Sequence, residues 1–441
     1  MAENQPIVKP STLPGFMELL PAQQIRFNRM MDTIRNVYER YGFVPLDTPV
    51  LEKTDVLLAK GGGETDKQVY RFTKGETDVS MRFDLTVPLA RYVAQHMNDL
   101  AFPFRRYQIG KVYRGEKNQK GRFREFYQCD IDVIGRGSLD PATDAEIPAI
   151  IWNVFTEIGL PAFVIRINNR KLVNGFFAHY GVADRPELLR AIDKLEKIGH
   201  EKVRRELMEA GIPDDTLEGV FAFMAIEGSN DEIVRALDGL QINHPLFQEG
   251  LAELKQVTSL IRAFGVPDEA FAIELKIVRG LDYYTGTVYE TLLKDYPEIG
   301  SVCSGGRYDN LAEYYTKEKL PGVGISIGLT RLFYQLEQAG ILGETASGSM
   351  TRVLVVPIGD TIETCARTAS QFRAEGVVTE VFLEKAKIAK KMNYANRQGI
   401  PMVVLVGEEE VSDGLVAVKF METGNQERMT VDAAISQAQK E

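Results

Sequence analysis

The sequence of 441 residues is poor in cysteine and histidine and has no long apolar run. Its three cysteines, Cys129, Cys303 and Cys365, form no Cys-x-x-Cys pair, which is typical of a reducing cytosol and predicts buried, unreactive thiols. The four histidines form no His-x-His or His-Glu-x-x-His pattern, so we expect no metal site and no protein-bound zinc. No stretch approaches the ~20 apolar residues of a membrane span, and residues 1–10 lack a signal-peptide core. We therefore expect a cytoplasmic protein with no membrane partner.

The charge of the chain is acidic, with a formal net charge of −10. Most of its surface should therefore repel nucleic acid, and any RNA contact must use a local basic patch. The chain is 44% hydrophobic. Its length predicts about three domains, at roughly 150 residues each.

Hydrophobic periodicity predicts a mixed α+β protein. Apolar residues at helical spacing predict a first helix between Ile25 and Tyr41, and alternation predicts an antiparallel hairpin of strands 104–116 and 122–134. Residues 181–267 change to amphipathic helices rich in Glu, Lys and Leu, and strands resume afterwards. We predict a catalytic domain over residues 1–342, interrupted by this helical insertion.

The C-terminal part reads as a separate small domain. Residues 343–351 are small and polar, which predicts a linker before a domain at 352–441. Strands predicted at Arg352–Pro357, Val378–Leu383 and Met402–Val406 alternate with helices. This alternation is typical of an α/β domain with a largely parallel sheet.

One face of the predicted strand 122–134 is polar, because alternate side chains of a strand point to opposite faces. That face carries Arg122, Arg124, Phe126, Gln128, Asp130 and Asp132. It could be a solvated face only, but the preceding strand adds Arg106, Gln108, Arg114 and Glu116 to the same surface. Arginines can clamp phosphates, and carboxylates with amides can hold a cationic amino acid. Gly328–Arg331 begins a helix, whose N-terminus suits a polyphosphate. The sequence contains neither a Ser/His/Asp constellation nor a Walker-type loop.

These residues resemble a known family. Val112–Gln128 (VYRGEKNQKGRFREFYQ) resembles motif 2 of class II aminoacyl-tRNA synthetases, Gly322–Phe333 (GVGISIGLTRLF) resembles motif 3, and the helix and strand ending at Pro49 resemble motif 1. Arg279–Glu290 (RGLDYYTGTVYE) and Ser304–Asp309 (SGGRYD) are similar to two peptides peculiar to histidyl-tRNA synthetases. The resemblance extends over nearly the whole chain, and its C-terminal domain is similar to the anticodon-binding domain of that group.

The resemblance implies a fold and a set of residue roles. The fold would be the class II antiparallel sheet with flanking helices, a helical insertion and an α/β anticodon-binding domain. Catalysis would depend on Arg279 and Arg114, with Arg279 facing the α-phosphate. ATP would be bound by Arg114, Glu116, Arg122, Phe126 and Arg331, and histidine by Asp84, Thr86, Gln128, Asp132, Arg279, Tyr283, Tyr284 and Tyr308.

The resemblance also implies the reaction and the partners. ATP with Mg²⁺ would activate L-histidine to histidyl-adenylate, and histidine would pass to the 3′ end of tRNA(His). The family forms a homodimer across motif 1. The alternative is a non-catalytic regulatory paralogue of ATP phosphoribosyltransferase in histidine biosynthesis, which would be expected to lack the C-terminal domain and to have a degraded RGLDYYTG peptide and degraded motif 2 arginines.

Several residues keep a structural interpretation. Tyr283, Tyr284 and Tyr308 could be packing aromatics, and for Arg124 and Asp130 we favour structural ion pairs over a role in the site. Five basic residues crowd one predicted C-terminal helix with no acid between them and could contact RNA phosphates, or be merely solvated: Lys385, Lys387, Lys390, Lys391 and Arg397. The chain departs from the family pattern at residues 11–17 and 117–119, which affects only the expected tRNA contacts.

Overall fold

The computed structural model describes residues 8–59, 67–116, 121–182, 188, 191–192, 199–277, 284–343 and 348–440. Contacts divide the chain into two compact units. The first unit contains Met1–Met17 and Met30–Ile341, and the second contains Glu18–Arg29 and Leu342–Glu441. The domain boundaries expected from the sequence stay predictions. Among the described residues, no helix is both long and apolar enough to cross a membrane.

Strands of the first unit form two sheets. Their bounds are β1 Val44–Pro45, β2 Leu51–Lys53, β3 Arg71–Lys74, β4 Thr77–Met81, β5 Phe104–Tyr113, β6 Glu125–Ile134, β7 Phe163–Asn169, β8 Phe271–Ile273, β9 Thr287–Leu293, β10 Cys303–Tyr308 and β11 Gly322–Ile327. The large sheet has the order β1-β5-β6-β11-β10-β9-β7-β8, and the small one has the order β2-β4-β3. Only the two end pairs of the large sheet, β1 with β5 and β7 with β8, are parallel.

The helices described from Pro21 to Gln338 are numbered in sequence order. Their bounds are α1 Pro21–Arg40, α2 Thr54–Leu57, α3 Thr86–His96, α4 Ala142–Ile158, α5 Arg170–His179, α6 His200–Glu209, α7 Asp214–Met224, α8 Asn230–Gly239, α9 Pro245–Ala263 and α10 Leu329–Gln338. Short 3₁₀ helices lie at Asp268–Ala270, Pro297–Ile299 and Leu311–Tyr314. The predicted first helix is confirmed, and Gly42 just after it has a φ of +75°, which suits a glycine at a helix end.

The predicted central hairpin is confirmed, with shorter strands than expected. β5 and β6 pair antiparallel along their whole length, from Phe104↔Ile134 to Tyr113↔Glu125. The apolar face of β6, with Ile131 and Val133, is fully buried. On that side the hydroxyl of Tyr38 in α1 donates to the carbonyl oxygen of Cys129 at 3.1 Å. Burial of this face leaves the opposite, polar face of β6 for the site.

The described part of the segment expected to be a helical insertion contains the helices α6, α7, α8 and α9, which short turns and loops connect. The last of these helices packs on α5, which follows β7. Two glycines allow the close approach: a Cβ at Gly175 would lie 2.2 Å from the Phe247 nitrogen, and one at Gly250 would lie 2.2 Å from the Leu172 nitrogen. The strand predicted at Ala272–Val278 is shorter in the structure, because β8 ends at Ile273 and a turn follows at residues 275–276; Val278 lies outside the described residues.

Gly250→Ala should therefore destabilise the first unit. The added methyl forces apart two helix backbones, and overpacking of this kind costs about 1–3 kcal/mol of unfolding free energy. Gly239→Ala is the matched control, since a Cβ there meets nothing within 4 Å. Removing a helical glycine there should stabilise by about 0.4–1 kcal/mol. Urea unfolding followed by circular dichroism measures both, and equal midpoints would contradict the packing argument.

The second unit is an α/β fold with β12 Val353–Pro357, α11 Ile362–Ala374, β13 Thr379–Val381, α12 Ile388–Gln398, β14 Met402–Val406, α13 Glu408–Asp413, β15 Val416–Phe420, β16 Gln426–Met429 and α14 Val431–Lys440. Its sheet has the order β13-β12-β14-β15-β16. The three predicted strands are parallel, but β15 and β16 are antiparallel, so the expected largely parallel sheet is only half right. No alternation of apolar and polar residues indicates β16, because it is a polar, mostly exposed edge strand.

Candidate active site

A cavity of about 480 Å³ opens on the polar face of the large sheet. Its walls come from β6, β10, β11, the segments that follow β4 and β5, and the start of α10. Every predicted site residue that the structure describes lines it: Asp84, Thr86, Arg114, Glu116, Arg122, Phe126, Gln128, Asp132, Tyr284, Tyr308 and Arg331. Arg279 and Tyr283 lie outside the described residues. The order of strands in the large sheet thus brings together side chains that are up to about 250 positions apart in sequence.

Asp132 forms the polar centre at one end of the cavity. The hydroxyl of Tyr308 donates to Asp132 Oδ1 at 2.7 Å, and Arg106 Nη2 lies 2.6 Å from Oδ2. Burial raises the pKa of Asp132 to about 6, against the opposing effects of Arg106 and Tyr308. The ion pair with Arg106 favours the ionised carboxylate, which acts as a hydrogen-bond acceptor towards the cavity.

Glycines of β11 make room for this end of the cavity. Gly324 pairs with Asp132 across the β6–β11 ladder. A Cβ at Gly324 would lie 2.3 Å from Asp132 Oδ1, and one at Gly322 would lie 2.6 Å from the Tyr308 ring. Any side chain at these two positions would displace the acceptor or the phenol, so the glycines set the depth of the pocket.

Three buried acceptor atoms beside Asp132 have no hydrogen-bond partner among the described residues: Asp84 Oδ2, Gln128 Oε1 and Asp130 Oδ1. The other oxygen of Asp84 accepts from the Val87 nitrogen at 3.0 Å, and Gln128 Nε2 donates to Ser326 Oγ at 2.6 Å. Burial raises the pKa of Asp84, and that of Asp130 to about 7. Unpaired buried acceptors are costly, and a cationic ligand with several donors would satisfy them.

Arginines gather at the other end of the cavity. Arg114 Nε donates to the Phe83 carbonyl at 2.9 Å, and its guanidinium carbon lies 5.3 Å from the centre of the Phe126 ring. Arg122 forms an ion pair with Glu116 at 3.3 Å. Arg331 Nη2 donates to the Ile299 carbonyl at 3.0 Å.

The guanidinium groups at this end repel one another. Burial lowers the pKa of Arg331, and the positive charge of Arg122 lowers it further, while Glu116 opposes both. Two like charges held close together store a repulsion that a polyanion would relieve. This end of the cavity therefore suits phosphate groups.

The structural interpretation of Arg124 and Asp130 is wrong in part. Neither has an ion-pair partner among the described residues; Arg124 Nε donates to the Glu116 carbonyl at 3.0 Å and so supports the site from behind. Asp130 lines the cavity. Its even position on β6 was the available signal, because it shares the face of Gln128 and Asp132.

Sequence analysis assigned no role to Ser326, Arg307 or Asp144. Ser326 lies opposite Asp130 in the β6–β11 ladder, and alternation along Gly322–Ile327 could have placed it in the cavity. Arg307 is buried and holds both oxygens of Asp144 at the start of α4, at 2.7–3.1 Å. This ion pair attaches β10 to α4 at the residue before Tyr308, and nothing in the local sequence indicated it.

In the second unit, one residue of the basic helix is misassigned. Lys391 is buried, and its Nζ donates to the Pro357 carbonyl at 2.7 Å and lies 5.7 Å from the centre of the Phe382 ring. It is therefore a packing residue and not part of an RNA-facing surface. The four other basic residues are exposed, but only Lys390 and Arg397 lie on α12, because Lys385 and Lys387 precede its first residue, Ile388.

The fold and the site together define a class of enzyme. A mainly antiparallel sheet in which the motif 2 strands β5 and β6 pair with each other and β6 pairs with the motif 3 strand β11 is that of a class II aminoacyl-tRNA synthetase. A family model described as histidyl-tRNA synthetase matches residues 15–332, and one described as an anticodon binding domain matches residues 352–441. The chain belongs to the histidyl-tRNA synthetase family.

Individual relatives agree with this assignment. The histidine–tRNA ligase of Clostridium tetani is 61% identical over 429 residues, which are 97% of this chain and 98% of the relative. The crystal structure of histidyl-tRNA synthetase from Nostoc sp. PCC 7120 has a TM-score of 0.91 at 40% identity and covers 98% of this chain and 100% of that one. A Bacillus halodurans structure described as an ATP phosphoribosyltransferase regulatory subunit/histidyl-tRNA synthetase has a TM-score of 0.76 at 20% identity over 91% of this chain and 100% of that one, a likeness of fold alone.

The predictions of family, α+β fold and synthetase function are thus confirmed, and the regulatory paralogue is not favoured.

Proposed function

We propose that the cavity activates L-histidine with ATP and that the chain then esterifies histidine to the 3′ end of tRNA(His). The observation that carries this proposal is the division of the cavity into two ends. An ionised acceptor, Asp132, lies at one end with unpaired carboxylate and amide oxygens beside it, and Arg114, Arg122 and Arg331 lie at the other. A cationic amino acid and a nucleoside triphosphate are complementary to these ends.

Histidine would bind with its imidazole against Asp132. An imidazole N–H would donate to Asp132 Oδ1, which already accepts from Tyr308, and Tyr284 would complete the wall. The α-ammonium group would donate to the unpaired oxygens of Asp84 and Gln128 and to Thr86, which also lines the cavity. A side chain without an N–H would leave buried acceptors unpaired, which is the basis of selection. The family resemblance adds Arg279 and Tyr283 to the histidine site.

ATP would bind at the arginine end. Phe126 would stack on the adenine ring, and Glu116 would accept from the adenine amino group. Arg122 and Arg331 would hold the terminal phosphates, and their mutual repulsion favours a bound polyanion. Mg²⁺ would enter as part of the ATP complex, mainly through the phosphates. The described residues contain no group of three His, Cys, Asp or Glu side chains that could hold a metal ion.

Positioning and fixed charge would carry the chemistry. A histidine carboxylate oxygen attacks the α-phosphorus in line, a P–O bond forms, and the bond to pyrophosphate breaks. Arg114, fixed by the Phe83 carbonyl and the Phe126 ring, would stabilise the negative charge that develops on the α-phosphate, together with Arg279 by resemblance. The terminal ribose hydroxyl of tRNA then attacks the carbonyl carbon of the adenylate and AMP leaves.

The remaining parts of the proposal follow the family. The second unit would bind the anticodon, with exposed Lys385, Lys387, Lys390 and Arg397 available for phosphate contacts. The protein would act in the cytoplasm as a homodimer formed across motif 1. An acidic chain with net charge −10 needs such local basic groups for any RNA contact.

The test is ATP–pyrophosphate exchange with each standard amino acid in turn and no tRNA. We expect exchange with histidine and none above background with the others, because only histidine pairs an N–H with Asp132 while fitting the pocket. Exchange with a different amino acid would refute the pocket assignment. No exchange with any amino acid, from folded protein, would refute the activation chemistry.

A further inference from the structure

Arg106 lies behind the cavity and is completely buried. It extends from β5 directly opposite Asp132 of β6, as the strand register requires. Its Nη2 contacts Asp132 Oδ2 at 2.6 Å and the Leu85 carbonyl at 3.3 Å. Among the described residues, its Nε and Nη1 have no hydrogen-bond partner. A buried arginine with two unsatisfied nitrogens is a poor device for stability alone, because an apolar pair of similar volume would cost less desolvation.

The charges around Arg106 indicate what it does. Three buried carboxyls lie within its influence, Asp84, Asp130 and Asp132, and its positive charge lowers the pKa of each against the effect of burial. Arg114 also acts on Asp84. The other groups that act on Asp132 are the Tyr308 hydroxyl from β10 and the neighbouring carboxylates. Arg106 is the only one of these groups that forms an ion pair with Asp132 in the described structure.

We propose that Arg106 is a positioning residue that selects the amino acid through Asp132. By holding Oδ2 it fixes the carboxylate plane, so that Oδ1 faces the Tyr308 hydroxyl and the cavity, and it keeps Asp132 an acceptor for the imidazole N–H. Arg106 itself does not line the cavity. This inference rests on the proposed histidine pocket and adds the residue that orients its acceptor, Asp132.

Removing Arg106 has a consequence that depends on pH. Without the guanidinium, Asp132 lies beside two other buried carboxyls, so its pKa rises from about 6 and it takes up a proton near neutral pH. The protonated carboxyl carries a hydroxyl group and is a weaker hydrogen-bond acceptor for the imidazole N–H. Raising the pH ionises Asp132 again, so the defect in histidine binding should shrink in alkaline solution. Free histidine also titrates, near 6.5, but it does so equally for every variant.

The experiment compares Arg106→Met, Arg106→Lys and the control Arg105→Met in pyrophosphate exchange between pH 6 and pH 9. Arg105 directly precedes Arg106 in β5 and points to the opposite face of the sheet. It forms an ion pair with Glu146 at 2.7 Å, outside the cavity. At pH 7, Arg106→Met should raise the histidine KM by roughly 10–100-fold, the value of one hydrogen bond to a charged group. The ATP KM should change by no more than about twofold. Arg106→Lys keeps the charge and should restore part of the loss.

The outcomes separate this inference from the proposed function. An unaltered protein without histidine-dependent exchange would refute the function itself. If the unaltered protein is active, the inference fails when Arg106→Met matches Arg105→Met in histidine KM and in pH profile, or raises both KM values equally. If Arg106→Met does not fold, Arg106→Lys decides: a histidine KM and pH profile equal to those of Arg105→Met overturns the proposal, and a selective, alkali-relieved rise in histidine KM supports it.

Discussion

Asp132→Asn should lower kcat/KM for histidine by about 10²–10³-fold or more, because the imidazole N–H loses a buried charged acceptor, and truncating one partner of such a hydrogen-bonded pair costs about 2–5 kcal/mol of binding free energy. The amide keeps the shape of the carboxyl but not its charge. It leaves Arg106 without a counterion and must turn its NH₂ towards either Arg106 or the Tyr308 hydroxyl. Histidine-dependent exchange at saturating ATP measures the loss, and the ATP KM should stay close to that of the unaltered protein.

Asp144→Asn is the matched control for this variant. Asp144 is also buried and also paired with an arginine, Arg307 at 2.7 Å, but it lies outside the cavity. Its amide variant should lose stability in thermal unfolding while it keeps the histidine KM. If the two variants instead showed the same histidine KM, the acceptor role of Asp132 would be wrong and its ion pair would be purely structural.

Arg114→Met should lower kcat for exchange by about 10²–10³-fold at saturating histidine and ATP, the typical loss of one fixed group that stabilises transition-state charge. The effect belongs to kcat because the charge on the α-phosphate grows as the reaction proceeds. Arg114→Lys should restore little of it, since an ammonium cannot reproduce the fixed, planar contact with the Phe83 carbonyl and the Phe126 ring.

Arg136→Met controls for the loss of a positive charge near the same sheet. Arg136 is partly exposed, pairs only loosely with Glu318 at 3.8 Å, and does not line the cavity. Its kcat should equal that of the unaltered protein, because an exposed ion pair contributes about 0–1 kcal/mol. A kcat for Arg114→Met at the level of Arg136→Met would remove Arg114 from the chemistry.

The positions of the cavity residues could be predicted from the sequence where they depend on the alternation of side chains along a strand. Alternation along the β5–β6 hairpin placed Gln128 and Asp132 on one face, and direct pairing of the strands made Arg106 part of the same surface. Such positions depend only on strand period and register, which a sequence displays. The family resemblance supplied the residues from distant segments, such as Tyr308 and Arg331, whose approach to this face no local pattern could give.

What failed depended on packing between elements. Lys391 follows the pattern of a solvated basic helix, yet the Pro357 carbonyl and the Phe382 ring bury it, and both come from outside that helix. Asp130 was assigned to a structural ion pair, although it forms none with any described residue and Arg106 acts on it through its charge alone. In both cases the sequence shows the charged residue but not the groups that other elements of the fold place around it.

The ladder between β5 and β6 has a consequence for the accuracy of translation. Arg106 and Asp132 meet only in the native register, and a slip of one residue would send the two charges to opposite faces of the sheet. In the proposed pocket, the same pairing that completes the hydrophobic core therefore also positions the acceptor that would select histidine. A chain that has not formed this sheet therefore lacks the pocket altogether. It does not have a pocket of lower selectivity. Failure of folding then produces an inert protein instead of one that loads the wrong amino acid.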